Sequence, residues 1–139
     1  MTTEGDVFSR LVRLARILRS KEGCPWDRAQ DLASLARCVM AEAHEVQEAV
    51  SHDDGDHVRE EIGDVLFTLI SMAVLAEERG TFSMVRLLED LEAKMVRRHP
   101  HVFGNASAQT VGEALQRWNE VKSSEQQRKL ESDRSGDLS

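Results

Sequence analysis

Glu42 and Glu45 stand three residues apart, and Glu61 and Asp64 repeat that spacing nineteen positions later. On a helix, residues three apart project from one side. Between the pairs lies Ser51 to Gly55 (SHDDG), which reads as a turn. Asp53 is eight residues from both Glu45 and Glu61, and eleven from both Glu42 and Asp64. At ~1.5 Å rise per residue, an antiparallel hairpin puts Glu45 level with Glu61 and Glu42 level with Asp64. At about 100° per residue, each pair falls on the flank of its helix's apolar stripe. Four carboxylates meeting there repel one another, and some must protonate unless a cation joins them. Oxygen-only ligation suits Mg²⁺ or Mn²⁺, and Mg²⁺ accepts substrate phosphates as further ligands. The ordinary reading is a solvated acidic face, and Glu48 and Glu60 show how readily such residues occur. The mirror placement about the turn favours the metal site.

Other groups are open to two readings. Lys94, Arg97 and Arg98 cluster at helical spacing in a net acidic chain. They either complement the C-terminal end of their helix or hold phosphate oxygens. Trp26, in a loop bearing Gly23 and Pro25, caps the core or stacks on a base. His99 and His101 flank Pro100 but lack a third ligand. His44 lies well away from the apolar stripe and reads as a surface group or as one standing behind the acids. Di-iron chemistry needs Glu-x-x-His on core helices, which none of the five histidines supplies.

These residues require helices to carry them. Val7, Phe8, Leu11, Leu14, Ile17 and Leu18 predict a first helix over about 5–20. Lys21 to Asp27 (KEGCPWD) reads as a loop broken by Gly23 and Pro25. Asp31 is a candidate N-cap for a second helix reaching about Val50. A third runs from about Asp56 to Arg79 and ends at Gly80. Its stretch Val65 to Ala76 (VLFTLISMAVLA) is apolar on nearly every side, so it must be covered on every side. One short chain has barely enough helices for that, which predicts a dimer with third helices packed centrally. A fourth helix covers about Ser83 to Arg97 and stops at Pro100. Arg97 to Gly104 reads as a loop, and a last helix spans about Thr110 to Lys122. The fold class is all-α, a helical bundle whose acidic site rides on an antiparallel hairpin. Residues 1–122 form a single domain, and 123–139 a polar tail expected to fray or be disordered.

The bulk numbers narrow the function classes. The 139 residues fit one domain, and 40% hydrophobic with 31% charged residues is globular composition. Aromatic residues are only 4%, with no Tyr, so the core is aliphatic and base-stacking surfaces of the kind that bind single-stranded nucleic acid are not expected. A net charge of −7 argues against a nucleic-acid polymer as partner. No apolar run approaches a membrane span. Cys24 and Cys38 lack knuckle or redox spacing, the pattern of reduced thiols in a cytoplasmic protein.

Four stretches together resemble the MazG family of nucleotide pyrophosphohydrolases: Gly23 to Asp27 (GCPWD), Glu42 to Glu45 (EAHE), Glu60 to Asp64 (EEIGD) and Arg97 to Gly104 (RRHPHVFG). Trp118 to Lys122 (WNEVK) is similar to the family's end, and the resemblance spans about Leu18 to Gly104. It implies a homodimer that cleaves (d)NTPs between the α- and β-phosphates with Mg²⁺. It places the metal on Glu42, Glu45, Glu61 and Asp64, the set reached from the hairpin. It also favours phosphate contacts from Lys94, Arg97 and Arg98, and brings Trp26 near the nucleotide. Within that chemistry Glu45 is the first choice to orient or deprotonate a water, with Glu61 as the second catalytic acid. One departure stands out. The family usually has two adjacent acids at the first motif, and here the first is Ala41. That bears on rate and substrate range. The rival readings are a narrow-substrate relative acting on dUTP, dCTP or a phosphoribosyl nucleotide, and a weakened helical interaction module.

Overall fold

The computed structural model describes residues 1–137, and among them every regular element is a helix. Contacts divide them into two units, Met1–Leu87 and Leu88 onward.

In the first unit, α3 (Leu32–Ser51) and α4 (Gly55–Glu78) form the hairpin. Asp31 opens α3 with a capping box: its carboxylate accepts from the Ser34 N–H at 2.7 Å, and Ser34 Oγ accepts from the Asp31 N–H at 2.9 Å. Asp54 opens α4, its Oδ1 accepting from the N–H groups of Asp56 and His57. The three residues between include Asp53 at φ 52°, a left-handed position that Asp tolerates because its short side chain bonds locally. The expected turn is present.

The second half of α4 carries the core. Ile70, Ala73 and Val74 pack with Val12 and Ala15 of α1 (Glu4–Arg19) and with Met84, inside a rim of Phe8, Leu11, Phe67 and Leu87. Ser71 is buried there with its hydroxyl donating to the Phe67 carbonyl at 3.0 Å, which removes the cost of an unpaired polar group. Lower on the same helix, Ile62, Leu66 and Leu69 remain exposed.

Arg16 and Arg19 of α1 pair with Glu77 and Glu78 at 2.7 and 3.0 Å. Glu77 also accepts from the Met84 backbone N–H at 2.9 Å, across a turn in which Gly80 takes φ 73°. The Met84 bond first, and then Arg16, hold the Glu77 carboxyl below the ordinary carboxylate range. A depressed folded-state pKa contributes stability that is complete above the unfolded value, about 4.3, and is lost as pH falls through the folded one. Glu77→Ala is therefore expected to cost about 1 kcal/mol at pH 7. That gap should narrow as the medium is acidified below about pH 4. Urea melts of both proteins at neutral and acid pH check it, and an equal gap at both would contradict this account.

Two short helices occupy segments that the sequence reads as loops. α2 (Pro25–Ala29) and α6 (Pro100–Phe103) both begin with proline. A proline stops a helix ahead of it, but at the first helical position its missing N–H has no partner to lose. Each proline starts the short helix that bears it.

In the unit beginning at Leu88, α5 (Met84–Arg97, which starts in the first unit) leads through α6 to α7 (Val111–Gly136). Thr110 caps α7 at the Glu113 N–H. The helix does not end near Lys122 but continues to Gly136. Its polar extension is built from good helix formers, with Gln127 donating to Glu131 four residues on. The last two positions of the expected tail, 138 and 139, lie outside the described residues.

Candidate functional site

Halfway along α3, Glu42 faces the first half of α4. Carboxylate oxygens of Glu42, Glu61 and Asp64 all lie within 4.8 Å of one another. Glu42 and Glu61 are half-buried and Asp64 is exposed. Unit charges at such a separation repel by about 1 kcal/mol even in water, and by more against a protein surface. The effect shows on Glu42, whose carboxyl is raised above its ordinary range by burial first, and then by Asp64, Glu61 and Glu45. Three oxygen donors converging under mutual repulsion form a donor set that fits a hard divalent cation.

Glu45 stands outside this group and is exposed. It still acts on Glu42 through its charge. His44 pairs with Glu48 at 3.2 Å on the surface. His57 was not singled out in the sequence, yet its Nε2 lies 3.2 Å from Glu61 Oε1. The four-residue spacing between them was the available signal.

Trp26 sits on α2 in the first unit with its side chain exposed, not in the core. The cationic residues belong to the unit beginning at Leu88. There, Arg97 and Arg98 converge on one carboxylate. Arg97 Nε donates to Glu125 Oε1 at 2.8 Å, while Arg98 donates to Oε2 from Nε at 3.2 Å and from its terminal nitrogen at 2.9 Å. Those bonds, Arg98 first, hold the Glu125 carboxyl below its ordinary range. The Arg98 side chain is only 13% exposed, and its guanidinium lies 5.0 Å over the Trp118 ring, a cation–π contact. His99 meets the same ring edge-on at 5.3 Å. Lys94 is half-buried and makes no ion pair among the described residues. The His99 and His101 rings are 5.6 Å apart, and no third ligand-bearing residue joins them among the described residues.

Three comparisons with known proteins bear on this arrangement. Residues 30–103 match the family model described as the MazG nucleotide pyrophosphohydrolase domain. The chain is 38% identical over 125 residues to the nucleoside triphosphate pyrophosphohydrolase of Escherichia coli K12, covering 89% of this chain and 48% of the relative. It is likewise 38% identical over 132 residues to the nucleoside triphosphate pyrophosphohydrolase/pyrophosphatase MazG of Thermotoga maritima, covering 95% of this chain and 50% of that one. The chain thus spans about half the length of the curated relatives it matches. Among solved structures, the mazG-related protein from Thermotoga maritima superposes with a TM-score of 0.69 at 28% identity, covering 83% of this chain and 98% of that chain. The match over residues 30–103 takes in the hairpin and all four of its candidate acids, and the chain belongs to the MazG nucleotide pyrophosphohydrolase family.

Proposed function

We propose that the chain is a Mg²⁺-dependent nucleoside triphosphate pyrophosphohydrolase, converting (d)NTP and water to (d)NMP and pyrophosphate. The observation that carries this reading is the convergence of Glu42, Glu61 and Asp64 from two facing helices. Those three residues would hold the cation, Mg²⁺ or Mn²⁺, with Glu45 close enough to share its charge. When bound, the cation supplies Lewis acidity and neutralises phosphate charge. Glu45, outside the group and exposed, is the carboxylate we assign to orient or deprotonate the attacking water. Lys94, Arg97 and Arg98 are assigned to phosphate oxygens and to charge on the leaving pyrophosphate. To serve, Arg97 and Arg98 must share or release Glu125. The exposed Trp26 ring is assigned to the nucleotide base.

The same reading includes a homodimer. An apolar groove of about 330 Å³, lined by Ala43, Val46, Ile62, Val65, Leu66 and Leu69, runs along the hairpin that carries the acids. A second copy laid on this face would cover what the chain's own helices leave open. No helix among the described residues is long and apolar enough to cross a membrane. Cys24 and Cys38 are free thiols, which agrees with our placement of the protein in the reducing cytoplasm.

The test is a panel of standard and modified (d)NTPs, with and without Mg²⁺, with products separated by chromatography. NMP and pyrophosphate formed only with the metal is the expected result, from a species that sediments as a dimer. Turnover of dUTP, dCTP or a phosphoribosyl nucleotide alone would replace the broad activity with a narrow one. No turnover of any nucleotide would favour a non-catalytic module, the reading that Ala41 supports.

A further inference from the structure

His57 lies in the first turn of α4, four residues before Glu61. A carboxylate only accepts, so the contact between His57 Nε2 and Glu61 Oε1 at 3.2 Å is an N–H donated by the ring. The His57 backbone N–H donates in turn to Asp54 Oδ1 at 3.3 Å. Asp54, His57 and Glu61 therefore form a continuous chain from the hairpin turn to the acidic group. The Glu61 side chain is 15% exposed and that of His57 39%, so the ring covers the glutamate while its own edge reaches solvent.

That tether opposes a specific tendency. A glutamate side chain turns about several bonds, and each staggered arrangement is open to it. Asp64 and Glu42 carry like charge and disfavour the one arrangement that brings Glu61 to them. A donor fixed on Oε1 offsets this by holding the carboxylate in place before any cation arrives.

We propose that His57 is a positioning residue, holding Glu61 in the rotamer that completes the group with Glu42 and Asp64. This rests on reading those three acids as a cation site, and it concerns a residue which that reading does not use. Carboxylates that ligate metals are themselves commonly hydrogen-bonded, and loss of such a partner weakens binding by about ten- to a hundredfold.

The experiment titrates Mn²⁺ alone into the full chain and follows the loss of the free-ion paramagnetic resonance signal. The proteins compared are wild type, His57→Ala, His57→Gln and Glu61→Gln, each also melted without metal. His57→Ala is expected to bind Mn²⁺ about tenfold more weakly. His57→Gln, whose amide N–H reaches a glutamate four residues on, should recover most of that loss. Both should melt with the wild type. Wild-type affinity in His57→Ala, or equal weakness in the two variants, would overturn the role of His57 and leave the cation site standing. No binding by the wild type, or undiminished binding by Glu61→Gln, would remove the cation site and the proposal with it.

Discussion

Glu61→Gln is expected to lower nucleotide turnover by at least about a hundredfold while leaving the fold as stable as before or more so. The substitution keeps the shape of the side chain and removes one of the charges that raise the Glu42 carboxyl. Without a cation, the change relieves repulsion, so the metal-free melting temperature should stay or rise. With nucleotide and Mg²⁺, the same change takes away a ligand and activity falls. Asp64→Asn should repeat both effects, since its charge follows burial as the largest influence raising Glu42. Glu60→Gln, outside the converging group, should leave turnover near that of the wild type. The opposed movement of activity and stability is the informative part. Turnover in Glu61→Gln equal to the wild type would sink the site assignment, whatever the melting curves show.

Gly23→Ala is expected to destabilise the protein by about 3 kcal/mol or more, a loss of roughly 10 °C in melting temperature for a chain of this size. Gly23 follows α1, where the chain doubles back so that the Cys24 N–H donates to the Leu18 carbonyl at 2.8 Å. A Cβ at residue 23 would lie on the carbonyl oxygens of Ile17 and Leu18 and 2.6 Å from the Leu18 carbonyl carbon. Those are backbone atoms in a helix end, and they cannot turn aside as a side-chain tip would. The Gly of GCPWD thus serves the corner that launches α2, and the variant should fail in folding before it fails in chemistry. Gly63→Ala, on α4 beside the acids, has open space around its Cβ position and is the matched control. Comparable melting of the two variants would show that the corner relaxes and that the clash is not limiting.

The hairpin was legible in the sequence because its determinants are local. Asp31, the SHDDG turn and Gly80 mark its ends, and the helical rise converts residue counts into heights. The converging oxygens belong to Glu42, Glu61 and Asp64, while Glu45 acts on Glu42 through its charge, a distinction that depends on side-chain placement and not on residue counts. In the sequence Pro25 and Pro100 read only as breakers, because a proline's effect depends on which side of it the helix lies. The partner of Arg97 and Arg98 was out of reach for another reason. Glu125 lies 28 and 27 residues further along, on a stretch whose polarity suggests fraying, and only the folded chain shows the pairing. Both arginines donate to that one carboxylate, a partner that neither sequence reading of the pair names.

α4 keeps its acids at one end and its buried Ile70, Ala73 and Val74 at the other. A helix divided in this way separates two kinds of selection. Substitutions near Glu61 and Asp64 meet mostly exposed neighbours, so they change chemistry at small cost to folding. Substitutions beyond Ile70 do the reverse. A lineage bearing this hairpin is free to explore new substrates by drift at the acidic end, while the far end preserves the fold that makes each trial possible.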